Sequence, residues 1–545
     1  MSAGILSPTA AARPAAAPAP GRAVTGLAVR QVRRGGLIVV VLAAGMTALV
    51  TATYAQVMAD PAAAGSLAAL AGNPAIRILF GAPAGLDTAG GFTVWRVGTF
   101  VAVLSAAWSI LTTTRITRGE EDAGRWDILL SGRVTVRELL IRHLAAVGSV
   151  PVAAGSAITG VLLVAGTAPA GALTHGAGTA LLGVFFVAVA ALTAQIFPAR
   201  SAATGTAVAV LGAGLLARMI GDGVTWLRWL HWLSPFGLLT RSGPYVTNNW
   251  PPLLILLAAA TVVAVLALAA AGRREVRGGL VASGSGRHPR LRMLGSLEAF
   301  AVRRALRPFT GWALGIVAYY LLIGTTAVSI TGFLKDNPAL AGQAAAAGFG
   351  GLGSIAGFTS TLFAILAIPA GGFTAVRMVA FVTAETDRRL TLLAAQPVTR
   401  IRLIGAEIAA TATTAAALVT MAGLATWAGI LAVGGDLDLI AALRGVWNPL
   451  PIVALSLGAA VFAIGWVPRW TGVIGALPAT GGFLLLVLAE SVGAPGWVRD
   501  ASPFAHLAPV PLTNVNWAGS AVMLTVSVLL AVAGAAGYRR RDLRS

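Results

Sequence analysis

Residues 251–272 read Pro-Pro-Leu-Leu-Ile-Leu-Leu-Ala-Ala-Ala-Thr-Val-Val-Ala-Val-Leu-Ala-Leu-Ala-Ala-Ala-Gly, an apolar run without a single charged side chain. An α-helix of about 20 such residues crosses the ~30 Å hydrocarbon layer of a bilayer. In lipid every backbone amide must find its partner within the protein, which leaves helix as the conformation for such a run. Working outward, similar stretches occupy 35–57, 92–114, 145–167, 176–198, 202–222, 309–332, 356–380, 406–432, 449–467, 470–490 and 519–538. The sequence therefore predicts an all-α membrane protein of about twelve transmembrane helices. Composition agrees: of 545 residues, 57% are hydrophobic and only 11% charged. A soluble domain carries about a quarter charged residues, enough to cover a wet surface.

The charges that remain are sorted by side. The chain has 39 Lys+Arg against 19 Asp+Glu, a formal net charge of +20. With the N-terminus inside, 31 basic residues fall in predicted cytoplasmic segments and 8 elsewhere. That bias places both termini in the cytoplasm, and the net charge then needs no nucleic acid. The absence of cysteine excludes disulfides and thiolate metal sites, and the five histidines show no metal-ligand spacing.

The chain also resembles itself. Residues 121–140, EDAGRWDILLSGRVTVRELL, align without a gap to 385–404, ETDRRLTLLAAQPVTRIRLI. Glu121 matches Glu385, Arg125 matches Arg389, and Val134-Thr135 matches Val398-Thr399. Farther on, Trp229 and Ser234-Pro235-Phe236 match Trp497 and Ser502-Pro503-Phe504. These pairs predict two parallel six-helix repeats. The expected organisation is a disordered tail and interfacial helix (1–34), a first six-helix half (35–272), a cytoplasmic linker and interfacial helix (273–308), and a second half (309–545).

The loop after the second helix, Gly119-Glu120-Glu121-Asp122-Ala123-Gly124-Arg125-Trp126-Asp127-Ile128-Leu129-Leu130, has helical apolar spacing with charges on the other face. A short helix of this kind suits docking of a cytoplasmic partner: Glu120 and Glu121 for partner arginines, Leu129 and Leu130 for apolar contact. A solvated loop whose acids neutralise nearby arginines fits the same residues, and spacing alone leaves both open.

The pattern Gly-Glu-Glu-x-x-Gly-Arg-x-x-x-Leu-Leu-x-Gly at 119–132 resembles the first cytoplasmic loop of ABC-2-type export permeases, above all the actinobacterial ones with two fused six-helix halves. Trp232-Leu233-Ser234-Pro235-Phe236-Gly237 before the sixth helix, and Gly72-Asn73-Pro74-Ala75 followed by Gly81 in the first outer loop, resemble that family too. The resemblance implies that the 119–132 loop is a coupling helix resting on an ATPase subunit, with Glu120, Glu121 and Arg125 there and Glu385, Arg388 and Arg389 in the second copy. That copy departs from the pattern, with Thr386 and Arg388 where the first has Asp122 and Gly124. It further implies efflux of lipophilic drugs or antibiotics across the bacterial cell membrane, and an outer gate formed by Trp232, Ser234, Pro235, Phe236, Ser502, Pro503 and Phe504. An aromatic belt without a gating role fits those outer segments as well.

Such a chain cannot hydrolyse ATP. A P-loop needs a lysine to reach the β- and γ-phosphates. The sole lysine, Lys335, follows Thr331-Gly332-Phe333-Leu334 with no glycine-rich loop before it. No cofactor is therefore expected in this chain; ATP and Mg²⁺ belong to a partner, two copies of an ABC ATPase subunit. The other expected partners are membrane lipid and a small lipophilic cargo. Segments 24–34 and 294–308 each carry Ala-Val-Arg and further arginines (Arg30, Arg33, Arg34; Arg303, Arg304, Arg307), which predicts amphipathic helices lying in the inner interface.

Two other classes fit less well. A major-facilitator-type secondary transporter also has twelve helices, but its short loop after helix two carries an Asp-Arg-x-Gly-Arg motif. This chain has a loop of about thirty residues there, without that motif, and few membrane acids for proton coupling. A lipid-linked glycosyltransferase would need paired acids in an early outer loop, where Asp60 and Asp87 stand alone.

Overall fold

The computed structural model describes residues 20–59, 77, 81, 83, 85–276, 278–281, 293–338, 351–386, 390, 397–491 and 494–541. Among them the regular structure is helical throughout, without a strand. Eleven helices are long and apolar enough to cross a membrane. In order they are Pro20–Ala59, Ala89–Thr114, Val136–Val164, Pro169–Ile196, Arg200–Gly223, Pro251–Ala271, Leu297–Gly324 continued by Ala327–Asp336, Ile355–Ile365 continued by Ala367–Thr386, Arg400–Ala432, Leu439–Trp447 continued by Leu450–Trp466, and Trp517–Arg540. The chain is a multi-pass membrane protein of the cell membrane. The remaining predicted span, 470–490, is helical in pieces: a 3-10 turn at Pro468–Trp470, α-helix at Thr471–Ala476, a π-turn at Leu477–Gly481, and α-helix at Gly482–Ser491. Pro478, which has no N–H to give Ile474, lies in the π-turn and breaks the ladder there.

The two interfacial helices expected at 24–34 and 294–308 do not exist as separate elements. Residues 20–34 are the N-terminal end of a single 40-residue helix, Pro20–Ala59. At 1.5 Å per residue it is about 60 Å long, twice the hydrocarbon thickness, so its charged end extends beyond the bilayer. Val24, Ala28 and Val32, one turn apart, are buried, whereas Arg30, Arg33 and Arg34 are exposed on the opposite side. Amphipathicity is thus as expected, without a kink to lay the segment flat. Arg303, Arg304 and Arg307 likewise sit in the first turns of Leu297–Gly324, which Ser296 caps through Ala299 N–H. Pro308 does not stop this helix. It leaves the carbonyl of Arg304 without its usual donor, and Arg377 Nη1 approaches that oxygen at 3.5 Å.

The chain divides into two compact units, Met1–Tyr54 with Ala84–Leu215 and Leu230–Ser285, and Ala55–Pro83 with Leu216–Trp229 and Gly286–Ser545. In the first unit, Pro169–Ile196 packs against Ala89–Thr114, Val136–Val164 and Pro251–Ala271. Its core joins Ala102, Ala106 and Ile110 to Leu182, Phe186 and Ala190. Gly155 and Gly176 face one another across a helix crossing so tight that a methyl on either would strike the other's backbone oxygen. In the second unit Leu450–Trp466 packs against Trp517–Arg540, closely enough that a methyl on Gly465 would strike the Gly534 carbonyl and one on Gly534 the Val461 carbonyl. Leu37, Ile38, Val41, Leu42 and Leu49 point outward, as a helix in lipid requires.

Candidate coupling site

The second span does not end at Thr114. It runs on as a π-turn, Arg115–Gly119, and one further turn, Glu120–Asp122. Gly124 then reverses the chain with φ +73°, a conformation that costs an L side chain strain. Helix Arg125–Leu130 follows, and Thr135 starts the third span by accepting from Glu138 N–H at 3.2 Å. Thr399 does the same for Arg402 N–H at 3.3 Å, so the matched Val-Thr pairs are two copies of one N-cap.

Trp126 fixes the short helix. Its side chain is 0% exposed, packed with Val24, Val134 and Leu139, with Leu129, Leu130 and Val136 against the same cluster. The His143 ring lies 6.0 Å from it, centroid to centroid. With Trp126 and Leu129 turned inward, Ile128 is left 74% exposed at the tip, beside exposed Asp127. The sequence reading named Leu129 and Leu130 for apolar contact; both are half-buried against this cluster, and the residue turned outward is Ile128. Phase decides this, because one helix position is a rotation of about 100°, and Trp126 takes the inward direction.

The two adjacent glutamates part company. Glu120 pairs bidentately with Arg125, at 2.5 Å from Nε and 2.7 Å from Nη2, near the surface. That bond holds the Arg125 guanidinium above its ordinary pKa. Glu121 points inward and is 1% exposed. Arg274 Nη1 and Nη2 hold its two oxygens at 2.5 and 2.7 Å, and Arg118 lies 3.3 Å away. Arg118 also pairs with Asp122 at 3.0 Å and donates to the carbonyls of Pro198 and Gly278. Asp122 in turn accepts from Arg200 N–H at the start of the fifth span. Glu121 is thus part of the scaffold beneath the loop and unavailable to a partner's arginine.

In the second unit Glu385, at the end of Ala367–Thr386, pairs with Arg541 at 2.5 Å. Arg388 and Arg389 lie outside the described residues, as do Gly72-Asn73-Pro74-Ala75 and the tail 1–19. The sequence reading missed Arg274 and Arg541. The signal was present: Arg274-Glu275-Val276-Arg277 and Arg541-Asp542-Leu543-Arg544 both follow a sixth helix.

On the opposite side of the helices, Ser234 and Ser502 have one job in common. Ser234 Oγ donates to the Gly214 carbonyl at 2.6 Å and accepts from Gly237 N–H at 3.1 Å. Ser502 Oγ donates to Gly482 O at 2.8 Å and accepts from Phe504 N–H at 3.2 Å. Pro235 and Pro503 rest on Gly214 and Gly482, which leave room for the rings. Phe236 packs on Phe186 (6.0 Å) and Phe504 on Phe483 (5.6 Å). These serines and phenylalanines are interior ties, whereas Trp232 lies at the surface with Arg241 over its ring at 4.1 Å. Trp226, Trp229, Leu233 and Trp497 are exposed, as in an interfacial aromatic belt.

The ionisable residues near membrane depth are paired where described. Arg218 and Asp222 lie 2.6 Å apart, one turn apart on one helix. Glu407 is shared by Arg304 (2.8 Å) and Arg377 (3.0 Å). Arg96 is exposed, with its guanidinium 5.6 Å from the Phe92 ring.

Over 514 residues, 93% of this chain and 91% of the relative, the sequence is 31% identical to the multidrug efflux system permease protein Rv1217c of Mycobacterium tuberculosis (strain ATCC 25618 / H37Rv). The model of the family described as "Multidrug efflux system permease Rv1217c, C-terminal domain" matches residues 22–271 and 294–539. A match across both stretches, with the relative aligned nearly end to end, makes this chain a member of the Rv1217c permease family.

Proposed function

We propose that this chain is the membrane subunit of an ATP-driven, ABC-2-type exporter that expels lipophilic drugs or antibiotics, powered by two copies of an ATPase subunit on another polypeptide. The observation that carries the reading is the element Arg125–Leu130: a short helix outside the bilayer, anchored by buried Trp126 and offering Ile128 with a charged rim of Glu120, Arg125 and Asp127. A solvated loop has no need of a fully buried tryptophan, or of an isoleucine held out in water. Membership of a multidrug efflux permease family supports the cargo class. The two stretches matched by the family, and the shared caps at Thr135 and Thr399 and at Ser234 and Ser502, support an origin as two parallel six-helix repeats.

On this reading ATP-driven closure of the partner pushes on Ile128. The helix cannot give way, because Trp126 keys it into the cytoplasmic ends of the first and third spans, and the push reaches the spans. A proton-coupled mechanism finds less support. The buried carboxylates of Asp222 and Glu407 are each held by arginine and so are poor carriers of a cycling proton. The test is co-purification: the tagged wild-type chain retains a nucleotide-hydrolysing subunit and Ile128→Asp loses it while keeping its own melting temperature. Equal retention by the variant, or no such subunit with the wild type, refutes the assignment.

A further inference from the structure

The sequence analysis places a cytoplasmic linker at the start of 273–308, yet its first described residues are pinned. Leu280 N–H donates to the Gln195 carbonyl at 3.2 Å and Val281 N–H to that of Ile196 at 3.0 Å. Gly278 O accepts from Arg118 at 2.8 Å and from Arg274 at 3.0 Å. Arg274 is the knot. Besides its bidentate hold on Glu121 it donates from Nε to Gln195 Oε1 at 2.7 Å, and its side chain is 3% exposed.

Arg541 repeats the arrangement in the second unit. It grips Glu385 at 2.5 Å and donates to the Ile464 carbonyl at 2.8 Å. Its own carbonyl accepts from Arg400, and its guanidinium sits 5.4 Å from the Tyr538 ring. In both units, then, one arginine just beyond the last span ties together the acid ending the second span and the last turn of the fourth. Gln195 supplies a side-chain oxygen at that turn, and Ile464 a backbone one. The join recurs on matching residues, Glu121 with Glu385 and Arg274 with Arg541, although the acceptor on the fourth span is a side chain in one unit and a backbone carbonyl in the other.

We propose that Arg274 and Arg541 are positioning residues that clasp the cytoplasmic end of each unit's second span to the exit of its last, so that a push on the loop moves the unit as one body. This rests on the coupling reading above. A bidentate arginine–carboxylate pair resists shear where a lone ammonium would not. Removing Arg541 takes this counter-charge from half-buried Glu385, and removing Arg274 takes from buried Glu121 its bidentate partner and leaves it Arg118 at 3.3 Å. Truncation should therefore slow the transport cycle without touching the cargo path.

The chain has no cysteine, so reporters can be introduced into the full-length protein without background. A nitroxide on Leu280→Cys is expected to be immobile, and to become mobile in Arg274→Ala and Glu121→Gln. Efflux of ethidium from cells co-expressing the ATPase gives the second reading. Arg541→Glu and Glu385→Arg should each lower the maximal rate roughly tenfold or more, with unchanged half-saturating ethidium and unchanged amounts in the membrane. Combining the two should restore most of the rate, and Arg274→Lys should retain more than Arg274→Ala. Charge reversals that leave efflux at the wild-type rate, or a double reversal no better than the singles, overturn the proposal. So does a label equally immobile in all variants. Absence of wild-type efflux would count against the exporter reading alone, since the label still decides the clasp.

Discussion

Replacing Trp126 separates a built docking element from an incidental loop. The side chain is fully buried among Val24, Val134 and Leu139, and its Nε1 makes no hydrogen bond. The residue therefore acts by volume alone. Trp→Ala in a packed core costs about 3–5 kcal/mol. The half-buried rim of Leu129, Leu130 and Val136 puts this site at the lower end. At 1.4 kcal/mol per factor of ten, the equilibrium constant for seating Arg125–Leu130 falls roughly 100-fold. Trp126→Phe keeps a ring and gives up no polar contact, so its cost stays below about 1.5 kcal/mol. Hydrogen exchange of amides 120–135 in detergent or nanodiscs reads the difference directly. The Ala variant should exchange far faster there and the Phe variant nearly as the wild type, with the spans unaffected in both. Equal exchange in wild type and Trp126→Ala, or Phe as damaging as Ala, would refute the reasoning.

Other substitutions follow from the same structure. Ser234→Ala and Ser502→Ala each remove a cap and a bond to a span carbonyl, and should cost about 1–2 kcal/mol, read as a lower melting temperature in detergent. Glu407→Gln leaves Arg304 and Arg377 facing each other without their shared counter-charge, and should destabilise by about 3–5 kcal/mol; the same melting assay checks it. Gly429→Val drives a branched side chain into the backbone of Leu321 and Gly324, an overpacking cost of about 1–3 kcal/mol, seen as aggregation on size exclusion.

Most of the fold was legible because the bilayer imposes one rule, a long apolar run closed by its own hydrogen bonds, and runs such as 251–272 obey it plainly. The segment 470–490 reads as a plain span because hydropathy counts Pro478 and its flanking glycines as tolerable, while the ladder does not. The first helix extends back toward Pro20 because Ala, Leu, Gln and Arg favour helix in water, so apolarity alone does not mark its end. At the candidate coupling site the motif located the loop but not the direction of each side chain. Glu120 and Glu121 are identical in sequence terms, and the partners that hold Glu121 inward include Arg274, 153 residues away, beside the nearer Arg118. Ile128 and Leu129 differ by one helix position, and Trp126 sets the phase. The outer gate at the Ser-Pro-Phe segments is what the family resemblance implies, and what the sequence did not show is that Ser234 and Ser502 cap short helices and tie them to Gly214 and Gly482.

On the proposed function, this permease is driven by nucleotide hydrolysis on a separate subunit. Inside-out membrane vesicles containing the chain, with and without the co-expressed ATPase, test it through accumulation of ethidium. The account predicts uptake that requires both ATP and the ATPase, persists when a protonophore collapses the proton gradient, and is abolished by Ile128→Asp. Uptake driven by an imposed proton gradient in vesicles lacking the ATPase would contradict it.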